Sequence, residues 1–369
     1  MAERFAVITG GGTGGHVVPA IAIGRALVAR GHDPASLHFV GSRRGIEGRL
    51  VPEAGFSLTM LPGRGIQRRL TVENLPAVAG MGRAITQATV LLRRERPRVV
   101  ISVGGYASLA CALAAATLRI PLVLQEQNAA PGAAHRTVAR FARACAVSYP
   151  GTRLPRATVT GNPVRQEVLA VERSPAASAS ARAALGLPAG RRVLGVFGGS
   201  LGSFRINQAV LDALPAWADR DDLAIHHVVG ERDWELISGK APEVDGLHYQ
   251  AVRYEDRMPL LYAAADLFVC RAGGNTVAEL AAAGAPAVLV PLPGAPADHQ
   301  TANARAFAAA MAAVLAPDRE LNGARLRAEV DGLIGDPERL DAMAARAASL
   351  GRRDAADRVA ALAEEHARD

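Results

Sequence analysis

The sequence predicts an α/β protein made of two doubly wound, Rossmann-like domains that face one cleft. Two glycine-rich turns, residues 10–16 and 198–203, each follow a short apolar run and precede a helix-like segment. Apolar runs and helical segments also alternate through both halves of the 369 residues, as in parallel sheets that are covered on both faces. A chain of this length can bury two separate cores.

The first half contains short apolar runs that predict parallel strands. They cover residues 5–9, 37–40, 57–61, 99–103, 122–125 and 144–147. The segments between them are rich in Ala, Leu and Arg and predict helices at residues 20–30, 72–96, 107–118 and 132–143. The pattern breaks near Gly161, so we assign residues 1–163 to the first domain.

The alternation restarts after a break at residues 164–189, whose later part is rich in Ala, Ser, Pro and Gly and predicts a linker. The second set of strands covers residues 193–197, 223–229, 247–252, 267–270, 287–291 and 313–315. We assign residues 190–345 to the second domain. Residues 337–369 predict two helices, and we expect residues 346–369 to pack back on the first domain.

Composition narrows the class of protein. The net charge of +7 comes almost wholly from arginine and favours an anionic partner, such as a phosphorylated substrate or an anionic membrane. Aromatic residues make up only 4% of the chain and do not interleave with basic ones, so we expect no nucleic-acid partner. The three cysteines lack the CxxC spacing of a metal site and predict buried thiols.

The pattern of apolar residues predicts neither export nor a membrane span. No apolar run approaches the roughly 20 residues that a spanning helix needs. The N-terminus runs directly into a strand without a cleavable signal pattern. We therefore expect the protein to stay on the cytoplasmic side.

The first glycine turn, residues 10–16, can hold an anion on its backbone amides at a helix N-terminus. Its spacing excludes a Walker A loop. A nicotinamide cofactor stays open as an alternative, because Arg43 and Arg44 follow the second strand where a 2′-phosphate could bind. His16 ends the turn and could accept a proton, or it could simply form a local hydrogen bond at the helix start.

The segment 270–279 again predicts a strand, a glycine turn and a helix start. Gly273 and Gly274 would allow a diphosphate to rest on the amides of Asn275 and Thr276. Glu279 lies about one helical turn further on, where its carboxylate could accept hydrogen bonds from a ribose diol. Glu279 could instead be only a first-turn carboxylate that the helix dipole stabilises.

Seven short motifs occur in one order over about 300 residues: GGTGGH, GGY, EQN, GNPVR, GGSxG, RxGxxTxxE and HQxxN. Together they resemble the undecaprenyldiphospho-muramoylpentapeptide β-N-acetylglucosaminyltransferases, GT-B enzymes of glycosyltransferase family 28. The resemblance implies inverting transfer of N-acetylglucosamine from UDP-GlcNAc to the 4-hydroxyl of a muramoyl sugar on a lipid-linked pentapeptide. Another acceptor for a GT-B transferase, or a UDP-GlcNAc epimerase, stays open.

The resemblance implies roles for individual residues in the first domain. Thr13, Gly14 and Gly15 would lie beside the transferred sugar and the acceptor diphosphate. Asn128 would contact the donor sugar, and Arg165 would hold the donor diphosphate. His16 is our first candidate for the catalytic base, because its ordinary pKa suits proton transfer near neutral pH; the second candidate is Glu126.

In the second domain the resemblance implies a donor site without a metal or a cofactor. Ser200 would hold the diphosphate, and the backbone of Tyr254 and Glu255 would read the uracil edge. Gln300, in the polar cluster 298–303, would meet the sugar hydroxyls, although this cluster could instead only cap a helix. The remaining donor contacts would be Gly274, Asn275, Thr276, Val277, Ala278 and Glu279.

A lipid-linked acceptor implies contact with the anionic inner leaflet at the cytoplasmic face of the cell membrane. Arginines surround apolar residues in one stretch of the first domain, a pattern that fits peripheral binding or a half-buried helix with a charged edge. These residues are Arg64, Arg68, Arg69, Leu70, Leu75, Val78, Met81, Arg83 and Ile85.

Three motifs depart from the family pattern, at four residues. Gln125 replaces a common His, Leu109 and Ala110 replace Gly-Pro, and Met311 replaces a Gly. The first two departures leave the acceptor-side geometry open.

Overall fold

The computed structural model describes residues 4–12, 14–43, 45–62, 74–240, 242 and 244–369. It divides into two compact units, Met1–Arg165 with Arg352–Asp369, and Gln166–Gly351. Each unit contains one parallel sheet with helices around it. This confirms the predicted fold class of two Rossmann-like α/β domains.

The first unit is built on a seven-stranded sheet in the order β3-β2-β1-β4-β5-β6-β7. Its strands are β1 (Ala6–Gly10), β2 (Leu37–Ser42), β3 (Ser57–Leu61), β4 (Val99–Gly104), β5 (Leu122–Glu126), β6 (Ala144–Val147) and β7 (Ala157–Val159). Its helices include α1 (Gly14–Ala29), α2 (Glu47–Glu53), α3 (Asn74–Glu95), α4 (Tyr106–Thr117) and α5 (Ala133–Val138).

The second unit is built on a six-stranded sheet in the order β10-β9-β8-β11-β12-β13. Its strands are β8 (Arg192–Phe197), β9 (Leu223–Val228), β10 (His248–Val252), β11 (Leu267–Cys270), β12 (Ala287–Leu289) and β13 (Ala313–Leu315). Its helices are α6 (Gln166–Leu169), α7 (Pro175–Leu185), α8 (Phe204–Ala213), α9 (Trp234–Ile237), α10 (Met258–Ala264), α11 (Gly274–Ala283), α12 (His299–Ala309), α13 (Gly323–Ile334) and α14 (Pro337–Leu350).

The last helix, α15 (Ala355–His366), belongs to the first unit. It buries Val359 and Ala363 in the core that α1 and the sheet share. Arg30, at the end of α1, pairs with Asp357 at 2.8 Å and with Glu364 at 2.7 Å. The C-terminal residues therefore complete the core of the unit that begins the chain.

Two elements of the first unit carry no clear sequence signal. The strand β7 is a three-residue edge strand whose residues are exposed or half-buried, so no apolar run marks it. The helix α2 contains Pro52 and has only seven residues, a length too short to show the hydrophobic periodicity of a helix. The segment predicted as a linker contains α6 and α7, and Arg182 of α7 pairs with Asp266 of the second unit at 2.8 Å.

Each sheet has a switch point, where the strand order reverses. In the first unit β1 lies between β2 and β4, and in the second unit β8 lies between β9 and β11. Ligands of open parallel sheets bind at the carboxyl ends of the strands beside such a point. Both glycine-rich turns follow the switch-point strands, so each unit has one candidate site there.

The turn that ends α12 places Met311 in a left-handed conformation, with φ at 56°. The Met311 amide donates to the Ala308 carbonyl at 2.8 Å, and the Ala312 amide donates to the Phe307 carbonyl at 3.1 Å. This is the hydrogen-bond pattern that glycine usually completes at a helix end. Met311 is 57% exposed, so its side chain gains little burial in return.

We expect the substitution Met311→Gly to stabilise the second unit by about 1 kcal/mol, because it removes the left-handed strain of a side chain. Thermal unfolding followed by the fluorescence of Trp217 and Trp234 should show a rise in Tm of about 2–4 °C. The matched control is Ala309→Gly, an exposed position inside the same helix, which should lower Tm instead. A lower Tm for Met311→Gly would contradict the strain argument.

Candidate active site

The first glycine turn meets a second pair of glycines at the switch point of the first unit. Gly10, at the end of β1, is in register with Gly104 at the end of β4. Gly104 and Gly105 both have positive φ, at 103° and 92°. A Cβ atom at Gly104 would lie 2.9 Å from His16 Cδ2 and 3.5 Å from His135 Cε1. The missing side chain therefore makes room for two imidazole rings.

His16 is half-buried beside this glycine pair. Burial and the neighbouring His135 lower the pKa of His16 to about 4, although Glu126, a hydrogen bond to the Gly11 backbone and Glu47 act in the opposite direction. The imidazole is therefore neutral at pH 7. A neutral imidazole in this position is able to accept a proton.

Glu126 ends β5 and lies buried, at 2% exposure. Its Oε1 accepts from the backbone and side-chain nitrogens of Asn128 at 3.0 and 3.1 Å, and its Oε2 accepts from Gly132 N at 3.0 Å. His135 Nδ1 lies 2.8 Å from Oε2. Burial alone would raise the pKa of Glu126, but His135 and the two backbone amides outweigh it and lower the pKa to about 2. Glu126 is thus an ionised carboxylate that organises the loop after β5.

A buried polar network ties that loop to the first glycine turn. His135 Nε2 lies 3.5 Å from Ser102 Oγ, and Ser102 Oγ lies 2.9 Å from Ser108 Oγ. The Ser108 hydroxyl donates to the Thr9 carbonyl at 2.7 Å and accepts from Gly104 N at 3.0 Å. Neither His135 nor Ser108 was predicted as a site residue from the sequence. Ser108 carries one visible signal, because it is a polar residue between apolar neighbours in α4.

The other predicted residues of the first unit that the structure describes follow strands at the same end of the sheet. Gly14 and Gly15 begin α1, and Thr13 lies outside the described residues. Arg165 is half-buried and is the last residue of the segment Met1–Arg165, the N-terminal part of the first unit. Gln125 is buried, and its amide nitrogen donates to Asn162 Oδ1 at 3.2 Å. This departure from the family pattern therefore connects β5 to the segment before Arg165.

In the second unit, backbone hydrogen bonds join the loops that follow β8, β9 and β10. Glu231 N donates to the Ser200 carbonyl at 3.2 Å, and Gly230 N donates to the Arg253 carbonyl at 3.0 Å. Tyr254 is 54% exposed beside Arg253. The three predicted positions Ser200, Tyr254 and Glu255 therefore belong to one connected edge of the sheet.

Glu255 is buried and turned into its own loop. Its Oε1 accepts from the Arg257 backbone amide at 2.8 Å, and its Oε2 lies 3.2 Å from His226 Nε2. Burial lowers the pKa of His226, although Gln250 and Glu255 oppose the shift. The Glu255 side chain thus holds the loop in shape and leaves any base recognition to the backbone.

The glycine turn after β8 and the start of α11 emerge side by side, because β8 pairs with β11 in parallel with Phe197 opposite Cys270. Gly273 occupies the N-cap position of α11 and has no side chain with which to cap the helix. The first amides of α11 point toward the space in front of the helix, where an anion is favoured. Val277 faces the core at 3% exposure, so it could contact a ligand only through its backbone.

Glu279 and Gln300 are both held by neighbouring groups of the second unit. Glu279 is 8% exposed, and its Oε2 accepts from the buried hydroxyl of Tyr262 at 2.9 Å. Gln300 Oε1 accepts from Ala272 N at 3.2 Å and from Leu292 N at 3.0 Å. Gln300 thus joins the loops that follow β11 and β12. Tyr262 was not predicted as a site residue, and its one sequence signal is a hydroxyl in an otherwise apolar helix.

Among the described residues, no group of three or more His, Cys, Asp or Glu side chains is placed to hold a metal ion. The three cysteines are free and buried, as their apolar surroundings predict.

The two units with their switch-point sites have the architecture of a two-domain α/β enzyme, and comparison with protein families identifies its class as the glycosyltransferases. Residues 6–147 match the glycosyltransferase family 28 N-terminal domain, and residues 193–359 match the glycosyltransferase family 28 C-terminal domain. The chain belongs to glycosyltransferase family 28. This confirms the family predicted from the ordered motifs and decides against the nicotinamide-dependent alternative.

Full-length relatives carry a more specific name. A protein of Acidothermus cellulolyticus is 42% identical over 98% of this chain and 97% of the relative, and one of Moorella thermoacetica is 41% identical over 96% of each. Both are named UDP-N-acetylglucosamine--N-acetylmuramyl-(pentapeptide) pyrophosphoryl-undecaprenol N-acetylglucosamine transferase.

Solved structures agree on the fold. The crystal structure of Acinetobacter baumannii MurG has a TM-score of 0.77 and 26% identity, covering 99% of this chain and 100% of that one. A UDP-GlcNAc 2-epimerase from Neisseria meningitidis has a TM-score of 0.66 and covers 99% of this chain and 100% of its own. Its identity is only 13%, so this second likeness concerns the fold alone.

Proposed function

We propose that this chain transfers N-acetylglucosamine from UDP-GlcNAc to the 4-hydroxyl of the muramoyl sugar of an undecaprenyl-diphosphate-linked pentapeptide. The observation that carries the proposal is the full-length match to transferases named for this reaction, at 42% and 41% identity. The products are the lipid-linked disaccharide and UDP, and the anomeric carbon is inverted.

Inversion needs a single displacement, in which the acceptor oxygen forms a bond to the anomeric carbon while the bond to UDP breaks. The acceptor hydroxyl loses its proton, and we assign that proton to His16, whose neutral imidazole can accept it. Glu126 is the weaker candidate for the base, because its pKa is near 2 and both its oxygens already accept hydrogen bonds. We therefore assign to Glu126 the role of holding Asn128 and His135.

The leaving diphosphate develops negative charge that the protein must stabilise. We assign this role to the N-terminus of α11, at Gly274, Asn275 and Thr276, together with Ser200 and Arg165. Val277 and Ala278 continue the same helix turn and would contact the nucleotide through their backbone.

The uridine and sugar contacts follow from the same arrangement. Glu279, oriented by the Tyr262 hydroxyl, would accept from the ribose diol. The backbone at Tyr254 and Glu255 would read the uracil edge. The amide nitrogen of Gln300 and the side chain of Asn128 would meet the sugar hydroxyls, because the Gln300 oxygen is already bonded to two backbone amides. In the first unit, Thr13, Gly14 and Gly15 would receive the acceptor diphosphate.

We place the enzyme at the anionic inner leaflet, on the cytoplasmic face of the membrane, as a peripheral protein. Arg83 is exposed on α3, while Met81 and Ile85 beside it pack partly against the core. Arg64, Arg68, Arg69 and Leu70 lie outside the described residues, and the side chains of Leu75 and Val78 are not described either. Of the helices in the described part of the chain, none has the length and apolar character that crossing a bilayer requires.

The test is a transfer assay with radiolabelled UDP-GlcNAc and the lipid-linked muramoyl-pentapeptide, carried in either phosphatidylglycerol or phosphatidylcholine vesicles. We expect labelled lipid product and UDP in equal amounts, and faster transfer on the anionic vesicles at low salt, because basic residues lose their attraction when salt screens them. Equal rates on both vesicles would contradict the membrane proposal alone. Formation of UDP-ManNAc without acceptor, and no lipid product, would show an epimerase instead.

A further inference from the structure

A buried carboxylate lies directly beside the first glycine turn. Glu47 begins α2 and is 1% exposed. Its Oε1 accepts from Ser42 N at 2.6 Å and from Ser42 Oγ at 2.9 Å. Gly12 N, inside the turn, donates to both carboxylate oxygens, at 3.2 and 3.3 Å. One side chain thus joins the loop after β2 to the loop after β1.

Three glycines leave the space that Glu47 fills. A Cβ atom at Gly11, Gly41 or Gly45 would collide with the Glu47 side chain. These glycines come from three separate places: the first turn, the strand β2 and the segment before α2. The backbone around the turn is therefore shaped to enclose this carboxylate.

A carboxylate leaves water only when hydrogen bonds replace its hydration. Here backbone amides do so, and they include one amide of a turn type that elsewhere binds a ligand phosphate. The carboxyl group of Glu47 therefore occupies part of the turn. The hydrogen bond between Glu47 and Gly12 restrains the glycine turn next to Gly11. The His16 side chain forms a hydrogen bond with the backbone of Gly11.

We propose that Glu47 is a positioning residue, which holds the first glycine turn in the shape that aims His16 at the acceptor hydroxyl. This rests on the proposed function, in which His16 is the base. Small displacements of a catalytic group can cost about 100-fold in rate. Loss of Glu47 should therefore act on turnover through His16, and it should leave donor binding in the second unit alone.

The first experiment is the substitution Glu47→Gln in the full chain, assayed by transfer to the lipid-linked acceptor. A glutamine has the same shape, and its oxygen can keep the Ser42 contacts and the 3.2 Å contact with Gly12 N, but its NH2 group would replace the oxygen that lies 3.3 Å from the same Gly12 donor. We expect kcat to fall about 10–100-fold, with KM for UDP-GlcNAc unchanged. The matched control, Glu53→Gln, changes an exposed carboxylate at the other end of α2 and should have no effect.

The second experiment separates positioning from general damage. In a chain that already carries His16→Ala, adding Glu47→Gln should lower kcat by less than about twofold. The effects of two substitutions that act through the same group do not add. The same 10–100-fold loss in both backgrounds, or a rise in donor KM of equal size, would overturn the proposal.

Hydrogen exchange of the segment 9–17 needs no turnover, so it tests Glu47 even if the chain proves not to be this transferase. We expect amides in this segment to exchange at least about tenfold faster in Glu47→Gln than in wild type or Glu53→Gln, since the NH2 group opposes the Gly12 N–H and weakens the anchor of the turn. Unchanged exchange in Glu47→Gln would overturn the role of Glu47 in holding the turn. Faster exchange in Glu47→Gln, together with a wild-type chain that shows no transfer activity, would overturn only the proposed function.

Discussion

Replacing His16 by alanine is expected to lower kcat about 10²–10⁴-fold, the usual contribution of a positioned general base. The acceptor hydroxyl would then have to lose its proton to water. KM for UDP-GlcNAc should change little, because most of the assigned donor contacts belong to the second unit. Steady-state transfer at saturating donor and acceptor measures kcat directly, and donor titration gives KM.

The control for this variant is His366→Ala, which removes an imidazole from the last helix of the same unit. It should leave kcat within about twofold of wild type. Normal turnover in His16→Ala would rule out His16 as the catalytic base. The pH profile gives a second check: burial lowers the pKa of His16 to about 4, so the base form persists as the pH falls from 7 to 5. If kcat/KM instead fell with a midpoint near pH 6.5, and this fall disappeared in His16→Ala, the lowered pKa of His16 would be contradicted.

Replacing Glu126 by alanine is expected to destabilise the first unit by about 3 kcal/mol, because several buried hydrogen-bond donors lose their acceptor. The change leaves the amides of Asn128 and Gly132 and the ring of His135 without their acceptor. Hydrogen exchange of the segment 122–138 should report the loss. Trp217 and Trp234 both lie in the second unit, so their unfolding transition serves as an internal control and should stay unchanged.

Glu126→Gln is the matched variant, since it keeps the size of the side chain and one strong acceptor, and it should cost less than the alanine. The pH dependence has a defined sign. The pKa of Glu126 is lowered from 4.5 to about 2 in the folded chain, so its contribution is fully present above pH 4.5 and is lost as the pH falls through about 2. The stability difference between wild type and Glu126→Ala should therefore shrink below pH 4.5. A constant difference from pH 7 to pH 3 would contradict the assignment.

The strands that follow clear apolar runs could be predicted because their signal is local. All twelve predicted strands correspond to strands of the structure, and the sheet interior explains why, since β4 and β5 are buried at every position. Boundaries at the glycine turns were harder: α1 begins at Gly14 rather than near residue 20, because the turn itself enters the helix. The edge strand β7 was missed because an exposed edge needs no apolar residues.

The candidate site was predicted less completely, and the missed residues share one property. His135, Tyr262 and Glu47 act on other residues of the site and carry no motif of their own. Each is a single polar residue whose partner lies elsewhere in the chain, as Glu47 and Gly12 do. Such a residue becomes visible only when its hydrogen bonds can be seen.

The sequence by itself determined the family, the two α/β domains and the positions of both glycine turns, because apolar periodicity and ordered motifs are properties of neighbouring residues. Only the tertiary structure decided which groups surround those turns. The parallel order β2-β1-β4-β5 brings Glu47, His16 and Glu126 to one end of a sheet, although 79 residues separate Glu47 from Glu126 along the chain. Burial at this end of the sheet lowers the pKa of His16, and neighbouring groups form hydrogen bonds with both oxygens of Glu126. Both effects depend on distances in space, which the order of residues along the chain does not reveal.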